Sequence, residues 1–596
     1  MYVPLARPIM QVHNWEQGYF FQDDWKVTPR LTLNLGVRYE QISPFVDKND
    51  IMFNFDPNFN NHAGRFIAAS DKTLQFLDPR IADTGIPVVT AAQSGLGVGR
   101  GLLRTDKNNV APRIGMALRV GDKSVVRGGY GIYFPTSAAQ GIRDPLSTNA
   151  FNQTQTKQNI TTPLQGWPTP LSGGDAVADT IYTSALSFNA VPVDLHSPLI
   201  QQYNATYERE LGLKTSVRFS YLGVTSHGLI GGTDLNELAP SNTPWGTTQD
   251  ADGDGIGDSA NLPCTPDDGD CAPTLADYAR LPYPTLGDYL ISFGNYGHSQ
   301  SNSYQAQVER RFSGGLMFNA SYTYADQKST GLDLANSSLG GVPYNSFNPE
   351  LDYTQDSWVS HHRFVFYGIY DLPVGRGKRF GSGLSGWADA VIGGWETSFQ
   401  MFAKTGTAFT PYWSCDNCFN SIRYASPGNI AAGSIDAVGD FTGGYRPLIV
   451  GDYKQHSGDQ LFNPAAFAPP PMGADIFTNP AVARKNLLWG PGAWGVNFGL
   501  HKDFKVGERV TASLGADFDN IFNHPIRMPD LDFADGSFAY LGGFNIAVDP
   551  NTRMPTLAGV TPNDDPVFGF GRASSTFSQE GIDSRRTVRL RLRITF

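Results

Sequence analysis

Four stretches of this sequence carry residue types spaced as ligands or nucleophiles would be. Asp250, Asp252, Asp254 and Asp258 surround Gly253 and Gly255 in the D-x-D-x-D-G spacing, which turns alternate carboxylates toward one hard cation. Gly255 permits the sharp turn, and Ile256 offers its main-chain carbonyl as a further ligand. Position 12 of the loop is Asn261 rather than Glu, so the bidentate ligand that completes an EF-hand is missing. The spacing predicts a structural Ca2+ site in the stretch 227–302, and the competing reading is a solvated acidic loop tip. Nearby, Cys264 and Cys271 bracket Thr265 to Asp270, and Cys415 and Cys418 stand as C-x-x-C. At a cell surface these four pair as disulfides, whereas a zinc site needs two more ligands close by. Gly95 to Gly101 is glycine-rich, but no strand pattern leads in and no helical pattern follows, so it reads as a flexible loop rather than a phosphate cradle. His361 and His362 open a strand and read as an interfacial pair. Nothing in the chain arranges a nucleophile, a base and an orienting group, so no catalytic residue is expected and the protein is not read as an enzyme.

The elements that carry these residues repeat every second position. Val588, Leu590, Leu592, Ile594 and Phe596 alternate with Thr587, Arg589, Arg591, Arg593 and Thr595. Leu31 to Tyr39 and Val510 to Phe518 alternate in the same way, and no stretch of helical period competes. Thirteen strands are predicted, at 15–27, 30–42, 109–120, 123–134, 199–210, 214–226, 303–313, 316–326, 360–372, 394–411, 492–504, 509–522 and 585–596. Their connections alternate between tight turns and very long loops (43–108, 135–198, 227–302, 327–359, 412–490 and 523–584), with 373–393 the longest of the short ones. A soluble sandwich or propeller predicts loops of similar length at both ends; an outer-membrane barrel predicts this asymmetry. Aromatic residues gather at strand ends, as in Tyr19-Phe20-Phe21, Tyr130 and Tyr133-Phe134, where a membrane interface places them. The fold class is therefore all-β, an antiparallel transmembrane β-barrel. Its apolar face meets outer-membrane lipid. Its other face, carrying Arg38, Glu40, Glu208, Arg218, Glu309, Arg311, Asp517, Asp519, Arg589, Arg591 and Arg593, is expected to line a wet lumen.

Composition agrees with that reading. Of 596 residues only 17 % are charged while 12 % are aromatic, and the net charge of -11 gives no basic surface for nucleic acid. No run of 18 apolar residues exists, so no membrane-spanning helix is expected.

The segment Tyr19-Phe20-Phe21-Gln22-Asp23-Asp24-Trp25-Lys26-Val27-Thr28-Pro29-Arg30-Leu31-Thr32-Leu33-Asn34-Leu35-Gly36-Val37-Arg38-Tyr39-Glu40 resembles the mid-barrel hairpin of TonB-dependent outer-membrane receptors. Asn109 to Gly115 with Val126 to Tyr133, His362 to Pro373, Gly490-Pro491-Gly492 and Phe518 to Pro525 resemble the Oar-like subgroup of those receptors. The terminal Phe596 resembles the signal read by the barrel-assembly machinery, and the Asp250 loop resembles a thrombospondin-type calcium loop. The resemblance implies a barrel of about 22 strands, closed inside by a plug, that takes up a scarce solute using energy delivered through TonB, in the outer membrane of a Gram-negative-type bacterium. Against that pattern residues 1–596 are expected to be the C-terminal part of the barrel, about 13 strands, with the plug, the regulatory-like domain and the signal peptide absent and TonB reached only through that plug. A plugless passive pore and a calcium-dependent surface binding or adhesion protein are the alternatives.

Overall fold

The structure is a computed structural model that describes residues 2–4, 11–75, 77, 80–135, 146, 154–157, 180–182, 188–236, 248–249, 271–272, 281–283, 286, 290–330, 343–415, 444–455, 460–471, 478–506, 510–529, 538–548, 555–562, 573–576 and 584–596. The alternating segments form thirteen long strands: β1 (Glu16–Thr28), β2 (Leu31–Ile42), β3 (Asp106–Val120), β4 (Ser124–Tyr133), β5 (Leu199–Gly212), β6 (Thr215–Asp234), β7 (Leu290–Ser313), β8 (Leu316–Ser329), β9 (His362–Asp371), β10 (Trp395–Lys404), β11 (Ala493–Val506), β12 (Val510–Asp519) and β13 (Thr587–Thr595). Each pairs antiparallel with the next in chain order, so the sheet is one continuous meander. The short connections are geometrically determined. Between Ser313 and Leu316 the two central residues Gly314 and Gly315 have φ of 63° and 76°, which gives the turn whose twist matches that of the flanking strands. Among the described residues β1 and β13 pair with each other nowhere, and the sheet stays open along those two edges.

The register separates two faces over all thirteen strands. One row reads Thr32, Ala117, Arg127, Thr206, Ser220, Gln305, Thr323, Arg363 and Lys404. Its neighbour on the opposite face reads Leu118, Val126, Tyr207, Phe219, Ala306, Tyr322, Phe364, Ala403 and Trp494. The large apolar side chains of that second face are open to the surroundings: Ile114, Phe219 and Tyr304 are more than half exposed and Leu590 is 81 % exposed. A soluble protein could not keep so wide an apolar surface in water. Tyr203, Tyr221, Tyr304 and Tyr324 form a ladder across four strands with ring centroids 5.0 to 6.3 Å apart, a continuous aromatic girdle on this outward face.

Above the girdle the structure departs from the expected bare loops. β6 continues to Asp234 and β7 begins at Leu290, so this hairpin rises well beyond the strand ends predicted at 226 and 303. The strand predicted at 394–411 is broken: β10 ends at Lys404, and Ala408–Cys415 is a separate strand that leaves the main sheet to pair with Leu488–Trp489 and Phe538–Val548. Gly406 makes the break possible, because a Cβ there would meet the Gly490 carbonyl oxygen at 1.9 Å. In Gly95 to Gly101 the glycines Gly95, Gly97 and Gly99 stand in open space, while the end of the segment at Gly101 is packed. Leu102 behind it is fully buried, and a Cβ on Gly101 would press on the Phe45 carbonyl at 2.6 Å.

The long connections instead pack two hydrophobic regions. In the first, Phe53–Asp56, Arg65–Ala68 and Val88–Thr90 form a small sheet that buries Phe53, Phe55, Phe66, Phe188 and Leu290 on one side and Met52, Ile67, Leu102, Ile291 and Phe293 on the other. The second gathers Tyr344, Phe409, Trp413, Tyr445, Phe462, Phe467, Leu541 and Phe544 from three connections. Full burial of each such ring contributes roughly 1.5–3 kcal/mol, which offsets the cost of ordering long glycine-rich chain. The result is a capped sheet.

Candidate functional site

Strand alternation puts Arg38, Glu40, Arg218, Glu309, Asp517, Asp519, Arg589, Arg591 and Arg593 on one face, and Arg311 follows at the bulge between Arg310 and Ser313. The charges are arranged in cross-strand rows. Arg127 Nη1 lies 3.2 Å from Glu208 Oε2, Arg218 Nη2 lies 3.4 Å from the same oxygen, and Arg218 Nη1 donates to Gln307 Oε1 at 3.2 Å. At the other end of the sheet Arg589 pairs with Asp519 and Arg591 with Asp517, and His501 Nε2 stands 3.2 Å from Asp517 Oδ1. Arg38 pairs with Glu40. The guanidiniums of Arg127, Arg218, Arg589 and Arg591 are between 41 and 67 % exposed, so each pair is screened and contributes below about 1 kcal/mol. Their effect is to keep this face of the sheet wet.

Two hollows lie on this polar face. One of about 480 Å³ is floored by Gly36, Gly115 and Gly129 and flanked by Arg38, Arg113 and Tyr133. Arg113 stacks on the Tyr133 ring at 4.7 Å. The other, about 430 Å³, is lined by Gln400, Asp517, Asp519, Arg589 and Arg591. Both display charge, amide and aromatic groups toward the space enclosed by the sheet's curvature, and neither holds a nucleophile beside a base.

The cap is fastened by buried polar groups that the alternation of strands gave no means of finding. Asn54, with no exposed surface, accepts from Val191 N at 2.9 Å and donates to Val191 O at 2.8 Å, tying the first long connection to the second. Asn236 does the same for Tyr283, donating to its carbonyl at 3.2 Å and accepting from its N–H at 2.8 Å. In the second region Arg446 forms a buried pair with Asp352 and covers the Tyr344 ring at 4.0 Å. Burial pushes the Asp352 carboxyl up, but the Arg446 guanidinium, the Lys485 charge and the Tyr344 N–H together hold it below the usual carboxylate value.

Asp250, Asp252, Asp254, Ile256 and Asp258 lie outside the described residues, as do Cys264, Cys418 and the side chains of Cys271 and Cys415. Among the described residues no group of three His, Cys, Asp or Glu could hold a metal. No helix is long and apolar enough to cross a membrane. Phe596 is 94 % exposed at the free end of β13. His362 Nδ1 meets Tyr322 Oη at 2.7 Å on the outward rim, in keeping with an interfacial position, while His361 packs on Trp489 at 4.5 Å.

Residues 4–540 match the outer membrane beta barrel domain. The chain belongs to that family. It is thus an outer-membrane β-barrel protein, its apolar face toward lipid, and the thirteen strands are the barrel wall. Among solved structures this outer-membrane barrel is similar to the siderophore receptor PiuA from Acinetobacter baumannii (9 % identity, TM-score 0.37, covering 99 % of this chain and 44 % of that one). It is similar too to the outer membrane transporter YddB from Escherichia coli (10 % identity, TM-score 0.37, covering 92 % and 53 %) and to the ferripyoverdine receptor of the outer membrane of Pseudomonas aeruginosa (9 % identity, TM-score 0.34, covering 87 % and 36 %). The chain spans about half or less of the length of these proteins. No curated protein matches it.

Proposed function

We propose that this barrel wall belongs to a TonB-dependent receptor of the Oar-like kind, which takes up a solute bound beneath its cap. The observation that carries the reading is the polar face, with its ion-paired rows from Arg127 to Gln307 and from His501 to Arg591, lying under a densely packed cap. Charges cost about 2–4 kcal/mol each if turned to the lipid midplane, so their gathering on one face marks an interior that water and solute enter. Among the described residues the edges of β1 and β13 are unpaired, which supports completion of the wall by further strands, since hydrocarbon does not tolerate open backbone edges. Both edge strands run in the same direction, so an antiparallel closure takes an odd number of them.

The test is depletion of solutes from defined medium by cells with and without the intact protein, repeated after collapse of the inner-membrane proton gradient. Uptake that disappears in both cases supports the reading. Depletion that survives collapse of the gradient, together with a steady open conductance of the purified protein in planar bilayers, points to a passive pore instead.

A further inference from the structure

The connection from β9 to β10 stands apart from the other turns at its end of the barrel. Residues 372–394 fold into a compact unit: Phe380 N donates to Pro373 O at 2.9 Å, Gly375 N to Phe380 O at 2.8 Å, and Arg376 N to the Asp389 side chain at 2.6 Å. Gly375 and Gly393 let the two arms touch, because a Cβ on either would come within 2.9 Å of Asp389 Oδ1. The unit ends in a short helix, α1 (Gly386–Ile392), with Ala388 buried. Its outer side carries Trp387 at 76 %, Val391 at 62 % and Ile392 at 51 % exposure, with Phe380 at 56 % beside it. So many large apolar groups open to solvent on one small, rigid turn need a covering.

The attachment of the helix shows what covers it. By register Trp395 and Lys502 are paired and share the outward, lipid-side face of the sheet. Lys502 is buried there, with Nζ donating to the carbonyls of Gly393 and, at 3.2 Å, Asp389, and lying 5.0 Å from the Phe504 ring. Trp395 Nε1 donates to Val391 O at 2.8 Å. The carbonyls at the helix C-terminus thus solvate a cation that would otherwise face hydrocarbon, and this holds the helix against the lipid-facing side of the wall, at the barrel's short-turn rim. The apolar side of α1 thereby continues the apolar belt of the sheet. The same unit carries Arg376, Lys378 and Arg379, all exposed, against the single acidic residue Asp389. Bulky apolar groups flanked by cations, at the level where a bilayer's acyl region gives way to headgroups, match the chemistry of a phospholipid surface.

We propose that residues 373–394 form an interfacial anchor that seats Trp387, Val391 and Ile392 among the phospholipids of the adjoining leaflet, with Arg376, Lys378 and Arg379 on their phosphates. The anchor fixes the height of the wall in the membrane at β9 and β10.

The test uses the full chain in vesicles of phosphatidylethanolamine with a minority of phosphatidylglycerol, and the fluorescence difference between the parent and Trp387→Phe, which isolates one indole among ten. Lipid brominated on the acyl chain close to the headgroup should quench this difference component, while aqueous iodide should not. The triple variant Arg376→Gln, Lys378→Gln, Arg379→Gln should lose much of the bromolipid quenching when phosphatidylglycerol is present. Iodide quenching without bromolipid quenching overturns the proposal by showing the helix in water. Quenching by neither overturns it by showing a protein cover, from another segment or a second copy.

Discussion

Replacing Arg446 by Met removes the only guanidinium paired with Asp352 among the described residues while keeping the bulk over the Tyr344 ring. Asp352 and Arg446 have side chains 5 % and 8 % exposed, so the surviving carboxylate would sit desolvated, with one main-chain donor, Tyr344 N at 2.9 Å, and the more distant Lys485 charge for support. Breaking one partner of a buried pair costs about 3–5 kcal/mol. At 1.4 kcal/mol per decade this is roughly a hundredfold to four-thousandfold increase in the fraction of time the second cap region is open. Hydrogen exchange followed by mass spectrometry reads that fraction directly: peptides carrying Phe409, Trp413 and Phe544 should gain deuterium far faster, while those from Phe53 to Ala68 should not change. Adding Asp352→Asn to Arg446→Met removes the stranded charge and should recover most of the protection. The same pair gives the cap a pH dependence. Because the folded carboxyl lies below its unfolded value, its stabilisation is complete above the ordinary carboxylate range and is lost as pH falls through that range toward the lower folded value. Uniform exchange in parent and single variant, or acceleration spread equally over both cap regions, would refute the assignment of this pair as the fastening of one region.

Further outcomes are expected elsewhere. Asn54→Ala strips both hydrogen bonds from Val191 and should cost about 2–3 kcal/mol, seen as faster exchange at Val191 with the barrel strands unchanged. Leu590→Arg places a charge on the lipid face and should lower the folding free energy in bilayers by about 2–4 kcal/mol in denaturant titrations, whereas Arg591→Gln on the polar face should change it by less than about 1. The Asp250 to Asp258 loop should bind Ca2+ at about 0.1–1 mM, as extracellular modules do. Calcium should protect residues 245–275 from protease, and Asp252→Ala with Asp254→Ala should abolish that protection; equal cleavage of the parent with calcium and with chelator removes the site.

The wall was legible because a two-faced strand must alternate over its whole length when lipid lies on one side and water on the other. Leu590 beside Arg591 is decided by that rule alone, and so is the side on which Asp517 and Arg218 appear. The cap was not legible. Its strands are two to four residues long in many cases, as at Phe53–Asp56 and Leu488–Trp489, too short for a period to register. Its fastening groups, Asn54, Asn236 and the Asp352–Arg446 pair, act between connections far apart in sequence. Lys404 to Ala408 shows the same limit locally: both flanking segments have strand composition, and the break between them is set by the close approach of Gly490 to Gly406, a tertiary contact.

The way the cap is stitched has a consequence for the order of assembly. Asn54 and Val191 are 137 positions apart, and Asp352 and Arg446 are 94 apart. Neither contact can form while the intervening strands are still being threaded, so the loops cross without these two fastenings. Closure entropy for such spans is repaid only after β2 to β5, and later β8 to β11, have zipped together. The second region also draws Leu541 and Phe544 from the connection before β13, so it cannot condense until nearly the whole wall stands. Condensation of that region is therefore a late, single signal of completed insertion, and a chain stalled partway would display a cluster of bare aromatic side chains as its mark.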